Sequence, residues 1–298
     1  MRSVFEWNIG SRVLTLGKRT LIMGVVNVTP DSFSDGGEFF DREKAVAHAL
    51  RLLDEDADII DVGGESTRPG AKVNVPGAKK SDPAKIVTEK EELERVLPVI
   101  KQLKQERPNC VLSVDTYKAN VARAAVEAGA EIVNDVSAFR WDPKMAKTVA
   151  ALKCGVVLMH SRGRPEEWRT QSPVADIVVL VKRELRDWAD AAANAGVKRE
   201  RIVLDPGFGF GKNLEENYPL LRRLDEFHQL RYPLLAGVSR KSFIGRMISR
   251  NGKDAAISDR TYGSVATETV AILKGVHIIR THEVRACRDA VRVADVVA

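Results

Sequence analysis

The sequence predicts an α/β protein folded as one (β/α)8 TIM barrel with a short N-terminal β-hairpin, and two observations carry that prediction. Eight short apolar runs rich in β-branched residues recur: 21–26 (LIMGVV), 58–62 (DIIDV), 110–114 (CVLSV), 131–134 (EIVN), 155–159 (GVVLM), 201–205 (RIVLD), 233–238 (PLLAGV) and 276–280 (VHIIR). Runs with little polar alternation suit parallel strands buried on both faces. Helical patterns lie between them, and eight such units in 298 residues match this barrel better than a doubly wound open sheet. No internal repeat, low-complexity tract or linker divides the chain, so it reads as a single domain, 1–298.

The elements follow in order. Residues 4–16 alternate apolar and polar around Gly10-Ser11, so 1–19 reads as a hairpin over one end of the core. Asp41 carries the N-cap signal of a helix with Ala45, Val46, Ala49, Leu50, Leu52 and Leu53 on its inner face. Thr88 and Glu91 form a T-x-x-E capping box. A third helix carries Val121, Ala124, Ala125 and Ala128 and stops at Gly129. Ser172-Pro173 signals the start of a long helix closed by Gly196, and Asn213 with Glu216 repeats the capping pattern before Leu220, Leu221 and Leu224. Residues 69–88, holding Pro69, Pro76, Pro83, Lys72, Lys79, Lys80 and Lys85, form a long basic loop. A loop of that length is functional or a solvated insertion.

Composition narrows the function. A net charge of +6 suits an acidic partner, and the absence of an RNA-recognition motif, zinc-finger spacing or long basic tract points to a small molecule rather than nucleic acid. Cys110, Cys154 and Cys287 are far apart within apolar runs, as buried thiols of a reducing compartment are. The N-terminal MRSVFEWNIGSR is charged where a signal peptide needs an apolar core, and no apolar run approaches the roughly 18 residues of a membrane span. A cytoplasmic enzyme with neither membrane nor nucleic-acid partners is expected.

In such a barrel the active site sits at the C-terminal ends of the strands. There the sequence delivers Asn27, Asp61 with GGESTRPG, Asp115, Asn134 with Asp135, Met159 with His160, Asp205 with GFGFGK, Ser239-Arg240-Lys241, and Arg280 with His282. They sort by charge. Asp115, Asn134 and Asp205 are acceptors suited to a ring rich in N–H groups; Lys241, Arg280, His282 and Arg68 are donors suited to phosphates. Together they predict a site for a polar heterocycle with a phosphate or pyrophosphate arm. The glycine run is not a P-loop, because Asn213 follows Lys212; it reads as a loop setting Phe208 and Phe210 against a flat ligand. Simpler readings compete: Asp115 as a helix N-cap, His160 as a core histidine, Met159 as core, and His282 as a cap of the last helix. The stretch 23–37 (MGVVNVTPDSFSDGG) reads as a strand ending at Asn27 in an oxygen-rich loop that carries Phe33 and Asp35.

Seven segments, NVTPDSFSDGG (27–37), DVGGESTRPG (61–70), SVDT (113–116), IVNDV (132–136), DPGFGFGK (205–212), SRKSFIG (239–245) and RTHEV (280–284), resemble the motifs of the dihydropteroate synthases, folate-pathway transferases targeted by sulfonamides. The resemblance implies a homodimeric barrel that joins 6-hydroxymethyl-7,8-dihydropterin pyrophosphate to p-aminobenzoate with release of pyrophosphate and use of Mg²⁺. Carried over by motif, Asp115, Asn134, Met159, Asp205 and Lys241 would bind the pterin. Asn27, Arg280 and His282 would hold the pyrophosphate, with Asn27 also contacting Mg²⁺. Thr67, Arg68, Phe210 and Ser242 would form the p-aminobenzoate side, and Phe33 and Asp35 would order over the reacting centre. Two departures stand out: the 69–88 loop is longer than usual, and HSRGRPEEW after Met159 differs from the commoner forms. A pterin-dependent methyltransferase and a non-catalytic pterin-binding paralogue are the alternatives.

Overall fold

The eight apolar runs form a ring. The computed structural model describes residues 2–28, 37–67, 71–73 and 86–297. A hairpin of β1 (Phe5–Asn8) and β2 (Val13–Leu16) precedes eight parallel strands: β3 (Leu21–Asn27), β4 (Ile59–Gly63), β5 (Val111–Asp115), β6 (Ile132–Asp135), β7 (Gly155–Met159), β8 (Ile202–Asp205), β9 (Leu235–Ala236) and β10 (Ile278–Thr281). Neighbours pair in the order β8-β7-β6-β5-β4-β3-β10-β9, and a parallel bridge between Leu204 and Leu234 closes β9 onto β8. The connecting helices are α1 (Gly37–Asp54), α2 (Glu89–Glu106), α3 (Ala119–Glu127), α4 (Met145–Leu152), α5 (Ile177–Asn194), α6 (Asn217–Arg222), α7 (Ser242–Met247), α8 (Thr261–Leu273) and α9 (Val284–Val297).

Strand parity sorts the side chains into two cores. Ile22, Val26, Ile60, Val62, Leu112, Val114, Val133, Val156, Leu158 and Ile279 face outward and pack under the helices. Leu21, Met23, Ile59, Val111, Ile132, Val157, Val203, Leu235 and Ile278 face inward and fill the lower barrel. Trp7, Ile9 and Leu16 join that inner cluster, so the hairpin covers the N-terminal end. The Trp7 indole donates to the Arg201 carbonyl at 2.8 Å, satisfying its one polar group at full burial.

Local signals explain most helix ends, with three corrections. The Thr88–Glu91 capping box is present, and Gly129 and Gly196 take the positive φ that ends α3 and α5. The helix predicted to start at Asp41 begins at Gly37, one turn earlier, so Asp41 lies within α1 rather than at its N-cap. The helix predicted from Ser172-Pro173 begins at Ile177, because the Asp176 carboxylate accepts from the amides of Val178 and Val179 and outcompetes the proline signal. The Asn213–Glu216 box forms but closes a 3-10 turn, Leu214–Glu216, and Leu224 falls beyond α6 in a second 3-10 segment.

Candidate active site

The barrel register brings the predicted polar residues to one mouth. Asn27 pairs with Gly63, Gly63 with Asp115, Asp115 with Asn134, and Met159 with Asp205, so these strand ends lie side by side. All share the inward parity of the lower-barrel residues, as do Asp61 and Arg280. Gly63 supplies space: a Cβ there would lie 3.4 Å from the Asp115 Cβ and 3.8 Å from Asn27 Oδ1.

One ion-pair network organises the mouth. Arg280 Nε donates to Asp61 Oδ2 at 2.6 Å, and Arg280 Nη2 donates to Asp115 Oδ2 at 2.7 Å. Asn134 Nδ2 donates to the same Asp61 oxygen at 3.0 Å. Burial works against the guanidinium, but the carboxylates of Asp61 and Asp115 outweigh it and hold the Arg280 pKa above its ordinary value. Asp115 is pushed up to about 7 by burial, against the pull of Arg280. Asp115 is thus no helix cap; α3 starts after Lys118 with no side-chain cap, and the carboxylate meets Arg280 instead.

The other half of the mouth is held by the loop after β8. Asp205 Oδ1 accepts from the Gly207 amide at 2.7 Å, and burial raises this acid to about 6. Gly207 is required: its φ is +66° and a Cβ would fall 1.9 Å from the His160 carbonyl oxygen. The buried Lys212 Nζ donates to the carbonyls of Gly207 (2.7 Å), His160 (3.2 Å) and Phe210 (3.3 Å), fixing the loop. Lys241, half-buried, sits with its Nζ 3.9 Å from the Phe210 ring centroid; burial first, then Arg280, lowers its pKa to about 7. Phe208 departs from prediction. It is fully buried against Phe243 in the helix-side core, so Phe210 is the phenylalanine of this loop at the mouth.

Met159 is buried within a separate apolar cluster with Tyr117, Val136, Trp141 and Trp168, against which Phe210 packs. His160 has no place at the mouth: it is buried, stacks on Trp188 and pairs with Glu184, as the core-histidine reading held. His282 lies beside Ser239, whose Oγ accepts from its backbone amide and meets its Nδ1 at 3.1 Å. Ser242 opens α7 and is exposed. Thr67 is half-buried at the end of the described part of its loop. Phe33, Asp35, Arg68 and most of the 69–88 loop lie outside the described residues.

Two clusters escaped the sequence. Asp61 lies mid-strand in β4, one layer below Gly63, and nothing local marks it as the shared partner of Asn134 and Arg280. Lys118 is buried between Glu65 and Glu92 and also donates to the Val87 carbonyl at 3.0 Å, while Arg95 Nη1 donates to the Gly64 carbonyl at 2.8 Å. Burial raises Glu65 to about 7, against Lys118. These contacts join α2 and the β5 end to both flanks of the β4 loop.

Fold and site together define a (β/α)8 barrel whose C-terminal mouth gathers buried carboxylates, an amide and cationic side chains. A family model described as "Pterin binding enzyme" matches residues 23–282. The dihydropteroate synthase of Clostridium beijerinckii is 41% identical over 290 residues, covering 97% of this chain and 98% of that protein; the Escherichia coli enzyme is 41% identical over 274 residues, covering 92% and 90%. The solved Xanthomonas albilineans dihydropteroate synthase with 4-aminobenzoic acid has a TM-score of 0.85 at 43% identity, covering 99% of this chain and 98% of that one. A complex of the same organism's enzyme with 7,8-dihydropteroate has a TM-score of 0.83 at 41% identity, covering 98% of each chain. The chain belongs to the pterin-binding enzymes and, within them, to the dihydropteroate synthases.

Proposed function

We propose that this barrel condenses 6-hydroxymethyl-7,8-dihydropterin pyrophosphate with p-aminobenzoate, giving 7,8-dihydropteroate and pyrophosphate. The observation that carries the reading is the convergence on one mouth of inward acceptors Asp115, Asn134 and Asp205 with cationic Arg280 and Lys241. The acceptors match the N–H edge of a pterin, and Met159 within its apolar cluster offers a surface for the ring face. Arg280 and His282 suit the pyrophosphate. Thr67, Arg68, Phe210 and Ser242 are assigned to the p-aminobenzoate side, and Phe33 and Asp35 to the loop covering the reacting centre.

Asn27 fits Mg²⁺: it presents a hard oxygen across the space that Gly63 leaves open toward Asp115. Mg²⁺ commonly takes one or two protein oxygens and completes its shell with substrate phosphates and water. When bound it would neutralise pyrophosphate charge. The rest of the chemistry falls to side chains. An electron-rich dihydropterin stabilises positive charge at the carbon losing pyrophosphate, and the carboxylates of Asp115 and Asp205 favour that charge through a low-dielectric site. The arylamine is neutral at pH 7 and attacks without prior deprotonation, so no general base is required.

No helix among the described residues is long and apolar enough to cross a membrane. We assign the enzyme to the cytoplasm as a homodimer; Val270 and Leu273 of α8 and Val293 and Val296 of α9, two packed helices, leave apolar side chains exposed. The test of function is pyrophosphate release from the pterin pyrophosphate with Mg²⁺. Pyrophosphate release accompanied by dihydropteroate when p-aminobenzoate is supplied is expected; release that never yields dihydropteroate, or binding without release, refutes the proposal.

A further inference from the structure

Asp61 is fully buried, yet it bonds two residues of the site. Its Oδ2 accepts from both Asn134 Nδ2 and Arg280 Nε, while Oδ1 is buried with no hydrogen-bond partner among the described residues. Asp61 pairs in register with Ser113, two residues below Asp115 on the same inward face. It therefore lies one layer beneath the mouth, and a carboxylate can only accept. That fixes the Asn134 amide with nitrogen down toward Asp61 and Oδ1 turned away from the lower layer. An unrestrained Asn side chain has no such preference and presents donor or acceptor alike.

Arg280 is divided between the same two layers. Its inner nitrogen, Nε, is held by Asp61, and its outer nitrogen, Nη2, covers Asp115. Asp115 is an acceptor assigned to the pterin, so a pterin N–H and Arg280 Nη2 compete for one carboxylate. Turning the guanidinium about the held Nε would take Nη2 off Asp115 while keeping the bond to Asp61.

We propose, resting on the pterin-pyrophosphate reading above, that Asp61 is a positioning residue with two linked tasks: it turns the Asn134 oxygen toward the pterin, and it is the pivot on which Arg280 swings from Asp115 to the pyrophosphate. Occupying the site thereby exchanges an internal ion pair for two contacts with substrate. A ligand lacking the anionic arm gains the acceptors but gives the displaced guanidinium no new partner.

The experiment is a double-mutant cycle read by calorimetry with 6-hydroxymethylpterin and, separately, its pyrophosphate ester. Asp61→Asn is isosteric but presents a donor as well as an acceptor to Asn134. It is expected to weaken 6-hydroxymethylpterin binding about tenfold in an otherwise wild-type chain and less than twofold in an Asn134→Ala chain. An equal loss in both backgrounds is what a merely structural role gives, and it overturns the first task. Arg280→Lys, which needs no change at Asp61, keeps the charge but has no Nε to be held. It is expected to weaken the pyrophosphate ester about tenfold or more and 6-hydroxymethylpterin little; wild-type affinity for the ester overturns the pivot. Failure of the wild-type chain to release pyrophosphate would refute the functional reading itself, whereas normal release with an additive cycle would refute Asp61's role alone.

Discussion

Replacing Asp205 by Asn should make the folded chain more stable at pH 8 while damaging pterin binding. Asp205 is 3% exposed, and burial, opposed first by the Gly207 amide, raises its pKa from the ordinary 3.8 to about 6. Between those values the folded chain holds a proton that the unfolded chain has lost. The stability this proton confers is fully present below pH 3.8 and is lost as pH rises through about 6. Above pH 6 the ionised carboxylate thus burdens the fold by about 3 kcal/mol, at roughly 1.4 kcal/mol per tenfold change in acidity. Asn keeps an oxygen for the Gly207 amide and removes the charge. Denaturant unfolding at pH 8 should show Asp205→Asn more stable than wild type by 1 kcal/mol or more, with the gap narrowing toward pH 4 and 6-hydroxymethylpterin affinity down at least tenfold. An Asp205→Asn chain that is less stable at pH 8, or whose advantage grows on acidification, refutes the claim that this carboxylate is held at the mouth against its own burial.

Further outcomes test other parts of the account. Trp7→Ala should cost about 3–5 kcal/mol in unfolding free energy, because it empties the plug beneath the barrel and removes the bond to the Arg201 carbonyl, yet leave kcat unchanged below the melting transition. Lys212→Met unties the carbonyls of Gly207, His160 and Phe210, and steady-state kinetics should show KM for p-aminobenzoate rising about tenfold with a smaller change in KM for the pterin. Asp35→Ala should depress turnover with thermal midpoint unchanged; wild-type turnover would remove the loop from the mechanism.

The mouth was legible for a physical reason. In a buried parallel strand an inward Asp, Asn or Arg is costly unless it is paired or stands near the open end, so Asn27, Asp115, Asn134, Asp205 and Arg280 stand out against apolar runs. Which of them touch was not legible, because pairing across 73 or 219 residues depends on barrel closure rather than local pattern. Asp61 shows the limit: alternation with Gly63 puts it inside, but its partners sit on β6 and β10. The buried Lys118 between Glu65 and Glu92 left no signal for the same reason, each side chain reading locally as a solvated charge. The helix start expected at Ser172-Pro173 was not legible because capping chemistry is short-range and several residues compete; Asp176 won by reaching two amides. Phe208 and Phe210, two residues apart in one glycine run, went to opposite environments through the positive φ of Gly207 and Gly209.

The central claim is a division of labour: acceptors Asp115, Asn134 and Asp205 hold the ring, while Arg280 grips the pyrophosphate. Its most direct test is the binding of 6-hydroxymethylpterin and of its pyrophosphate ester to folded Arg280→Ala. The account predicts that the armless pterin binds this variant within a few fold of wild type, or more tightly because Asp115 is uncovered, while the ester loses about 100-fold in affinity and turnover. Equal losses for the two ligands, or an ester that still turns over at the wild-type rate, would contradict it.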